Sequence, residues 1–479
     1  MTHDLVVLGG GAAGIGAARS ARSRGASVLL IERSGRIGGD CTFTGCVPSK
    51  ALIEAAERGA AFPEAIATAR QAIEVVAGTE TADVLRSEGI DVLQAEAAFL
   101  GPRTLGVDGG PVDVEKVVIA TGARAAIPPV PGIDTVEVLT NETVFELTTL
   151  PGSLAVLGGG PVGVELSQAF ARLGSEVTLI EAVDRLLPRE EPLASSVVHA
   201  ALNASGVDVR IGSPVASVER ADAGRRVRLH LGDRSVIAAD RLLVAVGRAP
   251  STSGLGLDAA GIAVDGQGFV RVDDRLRTSA RGVFAAGDVA LRLQFTHVAF
   301  DTGRIAARNA LSRVPVRRFD DGAVPRVTFT RPEVARVGLT EVEAAGRGAR
   351  VAFLPMGEVE RAVTAGRTEG FVKLIVGPRH VLRGTAGGRI LGATIVADRA
   401  GEMIHEVALA MRSGMFPARL ALTTHAYPTW SVAVQQAAAQ LFGEFGGRTA
   451  RPPSVGAGDP EEVAASLGRL GDGRLGDRQ

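Results

Sequence analysis

One local pattern occurs twice in this chain and restricts its fold more than any other feature of the sequence. The apolar run Leu5–Leu8 leads into a glycine turn over Gly9–Gly14, an alanine-rich segment to about Arg24, a second apolar run at Ser27–Ile31, and Glu32. A buried strand, a GxGxxG turn, a helix, a strand and an acidic residue hold a dinucleotide pyrophosphate at a helix N-terminus and a ribose at the carboxylate. The pattern therefore predicts a dinucleotide-binding α/β module.

The second copy of the pattern has the same internal spacing. Leu154–Leu157 leads into the turn Gly158–Gly163, a helical segment, the strand Glu176–Ile180 and Glu181. The separations 158 − 9, 163 − 14 and 181 − 32 are all 149 residues. Equal offsets at three positions indicate two homologous modules. The sequence therefore predicts two nucleotide sites in one chain.

Both cysteines of the chain, Cys41 and Cys46, follow the first module closely. A straight helix would separate their Cα atoms by roughly 8 to 9 Å, beyond the roughly 4.4 to 6.8 Å that a disulfide spans. The segment is therefore bent if the sulfurs join; Gly45 permits a bend, and Pro48 suits the first turn of a helix over Ala51–Ala60. Cys46 would then lie at a helix N-terminus, where the helix dipole favours a thiolate.

Three roles are open to the cysteine pair. A structural disulfide closing so short a loop contributes on the order of 2 kcal/mol, and a chain of this length can bury a core without it. A zinc site lacks its four ligands because no histidine is near in sequence, so we predict no metal site. The third role is a dithiol that cycles between its reduced and oxidised forms, and it needs an electron donor.

Lys50 is one of three lysines among 52 basic residues and lies four positions after Cys46 on the same helical face. We expect that lysine is required at this position; the alternative is a solvated surface charge.

Composition restricts the partners and the compartment. A chain of 479 residues exceeds the size of one hydrophobic core, so several domains are expected. The net charge of −1 exerts no general pull toward nucleic acid or acidic membranes, and the apolar runs fall short of a membrane span. No secretory signal pattern begins the chain. We expect a soluble, cytoplasmic protein with small-molecule partners, and neither nucleic acid nor membrane.

The segments between and after the two modules, as far as Val289, read as connecting strands. Asp91–Thr121 predicts a β meander, and the proline-rich segment Ile127–Gly132 predicts a crossing between the modules. Val283–Val289 is another buried strand, and it carries Asp288 at its C-terminal end, where ligands of open α/β sheets bind.

From about Val324 the pattern changes to an α+β type. Strands are predicted over 326–329, 370–376 and 390–396, and helices over 400–413 and 431–442, without a further glycine turn. Residues 446–479 are rich in Gly, Pro, Arg and Asp and predict a mostly disordered tail with one short helix at Pro460–Leu467.

Together these features resemble the pyridine nucleotide-disulfide oxidoreductases, the family of dihydrolipoamide dehydrogenase, glutathione reductase and mercuric reductase. The resemblance covers Asp4 to about Phe445. Its motifs are the first glycine turn with Glu32, the segment Cys41–Lys50, Thr121 with Gly122, the second glycine turn with Glu165 and Glu181, Gly287 with Asp288, and His425–Thr429.

The resemblance implies an α/β fold with two Rossmann-like domains and a C-terminal α+β dimerisation domain. The implied FAD-binding domain comprises residues 1–148 and 271–322, the NAD(P)-binding domain 149–270, and the dimerisation domain 323–445, before the tail 446–479. The implied FAD-binding residues are Gly9, Gly11, Gly14, Glu32, Lys50, Thr121, Gly122, Gly287 and Asp288; those for NAD(P) are Gly158, Gly160, Gly163, Glu181 and Gly247.

The resemblance also implies a redox-active homodimer. Electrons would pass from the nicotinamide nucleotide to FAD and then to a Cys41–Cys46 disulfide, with Cys46 against the flavin and Cys41 meeting a small acceptor. Lys50 and Glu165 would form an ion pair beside the flavin and nicotinamide. Glu181 favours NAD because a carboxylate repels a 2′-phosphate. Arg185, in the loop that follows, leaves NADP as the alternative nucleotide. The alternative role of Glu181 is a surface charge without a part in nucleotide binding.

One departure from the family pattern bears on the acceptor. Disulfide-reducing members carry a histidine where this chain has Tyr427 and a glutamate where it has Val432. The resemblance implies that Tyr427 faces the disulfide of the other subunit. A phenol of pKa near 10 is only about 0.1% ionised at neutral pH, so Tyr427 is a poor base; core packing is its alternative role. His425 would point to the opposite side of an extended loop.

The departure favours quinones or thiophilic metal ions over disulfides as the acceptor. The run Gln294–Val298 is closer to mercuric reductase, although the chain lacks that enzyme's further C-terminal cysteine pair. A dihydrolipoamide dehydrogenase, a mercuric reductase proper and a flavoprotein subunit of a larger complex are the alternatives.

Overall fold

The computed structural model describes residues 3–221, 226–314, 317–378, 388–454, 459–468 and 470. It divides into two compact units. The first comprises Met1–Pro128, Leu139–Thr149 and Gly247–Asp320, and the second Pro129–Val138, Leu150–Val246 and Asp321–Gln479. The boundary between Pro128 and Pro129 falls inside the proline-rich segment that predicts a crossing. No helix among the described residues is long and apolar enough to cross a membrane.

The helices and strands are numbered in chain order. The helices are α1 Ala12–Arg22, α2 Gly39–Phe43, α3 Cys46–Glu57, α4 Phe62–Gly78, α5 Ala82–Ser87, α6 Pro161–Arg172, α7 Pro192–Ala204, α8 Thr296–Leu311, α9 Glu341–Ala344, α10 Glu360–Ala365, α11 Ala400–Arg412, α12 Pro417–Leu422, α13 Val432–Ala439 and α14 Pro460–Leu467. The strands are β1 Leu5–Leu8, β2 Val28–Glu32, β3 Asp91–Gln94, β4 Ala97–Gly101, β5 Thr104–Val107, β6 Gly110–Asp113, β7 Val117–Ile119, β8 Ala123–Ala125, β9 Val138–Leu139, β10 Ser153–Leu157, β11 Glu176–Ile180, β12 Asp208–Arg210, β13 Val215–Arg220, β14 Val227–Leu231, β15 Val236–Ala239, β16 Arg241–Val244, β17 Arg248–Pro250, β18 Val283–Ala285, β19 Arg326–Thr328, β20 Glu333–Gly338, β21 Arg350–Pro355, β22 Phe371–Val376 and β23 Ile390–Ala397.

A parallel sheet in the order β18-β7-β1-β2-β3 forms the core of the first unit. Strands β1 and β7 are buried throughout, as their continuous apolar sequences require. The predicted meander over Asp91–Thr121 is wrong at both ends, because β3 and β7 belong to this parallel sheet and only β4, β5 and β6 form an antiparallel meander. Both strands pair with segments distant in sequence, which a local pattern does not reveal.

The second unit contains two five-stranded sheets. One has the order β12-β11-β10-β16-β9, with β10, β11, β12 and β16 parallel, and the three-stranded antiparallel sheet β13-β14-β15 accompanies it. The other is antiparallel, β19-β20-β23-β22-β21, with α11 and α13 packed on it. The structure thus confirms the predicted fold class of two dinucleotide-binding α/β modules and a C-terminal α+β region.

The C-terminal segment differs from its predicted disorder where the structure describes it. The short helix predicted at Pro460–Leu467 is confirmed as α14. Arg451 pairs with Glu341 and with Glu462, and the Glu462 side chain is only 6% exposed. Expected disorder is therefore wrong for residues 446–454 and 459–468, because charged residues that read as solvated in the sequence pair with opposite charges, and Glu462 is buried in doing so. Residues 455–458, 469 and 471–479 lie outside the described part of the chain.

Helices α1 and α8 of the first unit approach at two glycines. A Cβ at Gly303 of α8 would lie 2.0 Å from the Ala13 carbonyl oxygen, and one at Gly16 of α1 would lie 2.4 Å from the Phe300 carbonyl oxygen. Such separations are far inside contact distance, so glycine is required for the two backbones to meet.

We expect Gly303→Ala to lower the free energy of unfolding by about 1 to 3 kcal/mol, the usual range for overpacking a well-packed site. The control is Gly78→Ala at the end of α4, where a Cβ meets nothing within 4 Å and a helical Gly→Ala change stabilises by up to about 1 kcal/mol. Denaturant unfolding of both variants measures the difference. Equal stability of the two would contradict this account of the α1–α8 contact.

Candidate active site

The first glycine turn forms an open, positively polarised cradle. Gly9 has φ of +106°, and a Cβ at Gly14 would lie 1.8 Å from the Gly9 carbonyl oxygen. Gly11 is the N-cap of α1 and supplies no side-chain cap, so the first helical N–H groups face outward. The Gly10 amide donates to Glu32 Oε2 at 2.7 Å. This cradle fits a pyrophosphate at the helix N-terminus and a ribose at the carboxylate.

The second glycine turn repeats two contacts of the first. A Cβ at Gly163 would lie 1.8 Å from the Gly158 carbonyl oxygen, and Gly160 is the uncapped N-cap of α6 with open space beside it. The Gly159 amide donates to Glu181 Oε2 at 2.6 Å. Residues that lie 149 positions apart therefore match in their hydrogen bonds as well as in residue type. The residues of the second turn fit a second dinucleotide.

Cys41 and Cys46 lie on two helices separated by a sharp break. Helix α2 carries Cys41 and ends at Phe43, and α3 begins at Cys46 with Gly45 as its N-cap. A Cβ at Gly45 would lie 2.8 Å from the Asp40 carbonyl oxygen, so glycine allows the two helices to approach. The predicted bend and the position of Cys46 at a helix N-terminus are confirmed, although α3 starts at Cys46 itself and ends at Glu57, not over Ala51–Ala60.

The two sulfur atoms interact as thiols. A hydrogen bond to Cys46 and burial raise the pKa of the Cys41 thiol, while the Thr296 hydroxyl lowers it. Cys46 is exposed and its Sγ lies 3.4 Å from Thr296 Oγ1 at the start of α8. The side chains are thus arranged so that they can exchange between dithiol and disulfide. Sequence analysis did not identify Thr296 as a site residue, although it lies in the run Gln294–Val298, which was noted only for its likeness to mercuric reductase.

An Arg248 side chain links the cysteine segment to the end of the parallel sheet. It contacts Asp40, the residue before Cys41, donates to the Ala123 carbonyl oxygen at 2.7 Å, and lies 3.6 Å from Asp288 Oδ2. Burial raises the pKa of Asp288 to about 6, with Arg248 lowering it and Asp40 raising it. Sequence analysis identified Asp288 but missed Arg248 and Asp40, whose pairing spans 208 residues.

The other predicted FAD residues lie in the same unit. The Thr121 hydroxyl donates to the Ser251 carbonyl oxygen at 2.9 Å, and the Ser251 amide donates to the Gly122 carbonyl oxygen at 2.9 Å. Gly287 has φ of +73°, and its amide donates to Thr302 Oγ1 at 3.1 Å. These contacts fix the two turns at the C-terminal ends of β7 and β18, where this class of sheet binds its ligands.

The predicted Lys50–Glu165 pair and Gly247 remain predictions. Lys50 lies on α3 of the first unit, with Nζ 3.4 Å from Ser49 Oγ. Glu165 lies on α6 of the second unit, is 5% exposed and accepts a hydrogen bond from the Phe329 amide at 2.8 Å. Gly247, which was assigned to the NAD(P) site, has φ of +137° and opens the last segment of the first unit.

Tyr427 lies in the second unit beside a histidine held by a carboxylate. The Tyr427 side chain is 71% exposed, so core packing within this chain is not its role. His425 is 7% exposed; its Nε2 lies 3.0 Å from Glu406 Oε1 and its Nδ1 lies 2.9 Å from the Thr423 carbonyl oxygen. Sequence analysis missed Glu406, which comes from α11 rather than from the position of Val432.

The fold and the site are those of an oxidoreductase with two dinucleotide-binding modules and a cysteine pair. The family model described as pyridine nucleotide-disulphide oxidoreductase matches residues 3–303, and the model of that family's dimerisation domain matches residues 324–438. The chain belongs to the pyridine nucleotide-disulphide oxidoreductase family, whose members are flavoprotein enzymes that bind FAD and a pyridine nucleotide.

Several relatives cover most of the chain. A mercuric reductase of Staphylococcus aureus is 36% identical over 86% of this chain and 78% of its own length. A dihydrolipoyl dehydrogenase of Thermus scotoductus is 37% identical over 92% and 97%. The Cu(II) complex of the HOCl-induced flavoprotein disulfide reductase RclA from Escherichia coli has a TM-score of 0.82 and 34% identity, and the match covers 90% of this chain and 98% of that one.

We expect the two thiols of the reduced, flavin-free protein to differ in reactivity. Cys46 is exposed, whereas Cys41 is less exposed and its pKa is raised; each unit of raised pKa lowers the thiolate fraction about tenfold. Iodoacetamide should therefore modify Cys46 at least about tenfold faster, as measured by mass spectrometry of the peptides. Faster modification of Cys41 would contradict the arrangement of the thiols.

Proposed function

We propose that the protein is an FAD-dependent NAD(P)H oxidoreductase that passes electrons through Cys41 and Cys46 to a small acceptor. The observation that carries the proposal is the pair of interacting thiols at the α2–α3 break, in the same unit as the first dinucleotide cradle. FAD, when bound, supplies the two-electron carrier between the nicotinamide nucleotide and the cysteine pair. Glu181 supports NAD as the preferred nucleotide because it would repel a 2′-phosphate.

The cysteines complete the reaction with balanced electrons. Oxidation of the Cys41–Cys46 dithiol forms one S–S bond, gives two electrons to the acceptor and releases two protons, and NAD(P)H restores the dithiol. By the family motif, Cys46 would be the sulfur next to the flavin and Cys41 the one that meets the acceptor. Lys50, to which the resemblance assigns Glu165 as its carboxylate, would be the fixed cation that stabilises the charge of a reduced ring.

We further propose a homodimer in which Tyr427 faces the partner subunit's cysteine pair, and an acceptor that is a metal ion or a quinone. The C-terminal dimerisation domain and the exposure of Tyr427 support the first point. The tyrosine that stands at position 427, where disulfide-reducing members carry a histidine base, supports the second. The mercuric reductase relative and the Cu(II) complex of RclA are consistent with a metal acceptor.

The test is anaerobic flavin reduction followed by an acceptor panel of metal ions, quinones and disulfides. NADH should reduce the flavin faster than NADPH. Cys41→Ser and Cys46→Ser should lose cysteine-dependent turnover while flavin reduction remains, and bound FAD should slow the alkylation of Cys46 relative to Cys41. The proposal fails if neither nucleotide reduces the flavin, or if both serine variants turn over the acceptor as the wild type does.

We expect Tyr427→His to raise disulfide reduction by less than about tenfold, because an imidazole works as a base only when it is oriented. Glu406 is already engaged by His425, and Val432 offers no carboxylate. Steady-state rates with a disulfide acceptor measure the effect. Tyr427→Phe, which keeps the ring and removes the hydroxyl, is the control. A gain of a hundredfold or more would refute this reasoning.

A further inference from the structure

We propose that the C-terminal segment positions the loop that binds the nicotinamide nucleotide. The nucleotide loop comprises residues 182–191, directly after Glu181, and the C-terminal clamp comprises residues 451–454 and 459–468. A buried charge cluster joins the two within the second unit. The inference rests on the proposed binding of a nicotinamide nucleotide by the second glycine turn, and it assigns a function to the segment beyond the matched dimerisation domain.

The start of the nucleotide loop lies against the second glycine turn. The Leu187 amide donates to the Gly159 carbonyl oxygen at 2.9 Å, and the Val183 amide donates to Glu181 Oε1 at 3.0 Å. Leu187 has φ of +46°, which is unusual for a leucine and persists only where surrounding contacts hold it. The shape of this loop therefore decides how Glu181 and the turn are presented to a ribose.

The end of the nucleotide loop is anchored by two glutamates, the partly buried Glu190 and the buried Glu191. Glu190 Oε2 accepts a hydrogen bond from Arg336 Nε at 2.7 Å. Glu191 Oε1 accepts one from the Glu341 amide at 2.5 Å, and its Oε2 lies 3.7 Å from Lys373 Nζ. The side chains of Glu191 and Lys373 are each 2% exposed. Both contacts come immediately before α7, so the position of the loop depends on them.

The C-terminal clamp completes the charge cluster. Arg451 contacts Glu341 and donates to Glu462 Oε1, and the Ser454 amide and hydroxyl donate to Glu341 Oε1 at 2.7 and 2.9 Å. Burial would raise the pKa of Glu341, but the hydrogen bond from Arg451 and the charge of Lys373 lower it to about 2. Lys373 Nζ itself lies 2.6 Å from Glu341 Oε2. The clamp thus keeps Glu341 ionised and in place.

Loss of Arg451 would weaken the contacts that hold the nucleotide loop, because it unbalances the charges of the cluster and lets water in. The cluster holds three carboxylates, Glu191, Glu341 and Glu462, against two cations, Lys373 and Arg451. Loss of the arginine leaves three carboxylates around one lysine and admits water, which weakens each remaining contact. The nucleotide loop then samples other positions, and binding a nucleotide must order it again.

The test compares Arg451→Met with Arg448→Met. Arg448 belongs to the same region but pairs with Glu358 outside the cluster, at 2.8 Å. Two measurements are made on the dimeric protein: amide hydrogen exchange of residues 182–191 without nucleotide, and the Kd of NADH by calorimetry. Arg451→Met should speed the exchange and raise Kd about tenfold, Arg451→Lys should restore part of both, and Arg448→Met should change neither.

Further variants keep the outcome decisive. If Arg451→Met does not fold, Arg451→Gln replaces it, since it removes the same positive charge and keeps a polar side chain that can donate a hydrogen bond. A folded Arg451→Met or Arg451→Gln protein with wild-type exchange of residues 182–191 overturns the inference. Failure of the wild type to bind NADH or NADPH would instead refute the proposed function. Hydrogen exchange of residues 182–191 would still test whether the clamp positions the loop.

Discussion

The close approach of two backbone segments at each glycine turn is the constraint on which the nucleotide-binding parts depend. At Gly14 and again at Gly163, a Cβ would lie 1.8 Å from the carbonyl oxygen five residues earlier. No side chain can be accommodated there, so the strand, turn and helix can form this arrangement only with glycine. Because the turn is closed so tightly, the helix N-terminus behind it is directed at the end of the sheet, where a phosphate gains from its N–H groups. Each carboxylate at the end of the next strand then bonds to the turn itself.

The cysteine site depends on a second close approach of the same kind. Gly45 lets the start of α3 meet the end of α2, and the chain thereby brings together two sulfurs that a continuous helix would separate. The surroundings of the pair come from much further along the chain. Thr296 approaches the sulfurs from α8, and Arg248 joins Asp40 to Asp288 from β17. A charged network of this kind orders the segment beside the thiols and sets the charge near them, which is why its members matter to any redox reaction there.

The second unit holds a histidine–carboxylate pair close to the departure in the motif, but not at the positions that the family pattern predicts. Tyr427 and Val432 occupy the positions where a histidine and a glutamate are expected. A histidine paired with a carboxylate is nevertheless present nearby, as His425 and Glu406. Both ring nitrogens of His425 are engaged, one by a carboxylate and one by a carbonyl oxygen. The histidine therefore supports the loop that carries the tyrosine, and the phenol is the group that faces outward.

Local patterns in the sequence were sufficient for the two modules, their offset of 149 residues, the bend between Cys41 and Cys46, and the short helix at Pro460–Leu467, because each depends on neighbours within a few tens of residues. Tertiary structure alone decided the positions of β3 and β7, the partners Thr296, Arg248 and Glu406, and the pairing of Arg451 with the buried Glu462. Those features join residues that are distant in the chain, and a charged residue in a polar segment reads as solvated until its opposite charge is known. Glycine geometry is local and can be read from the sequence, whereas charge pairing across the fold is decided only when the chain packs.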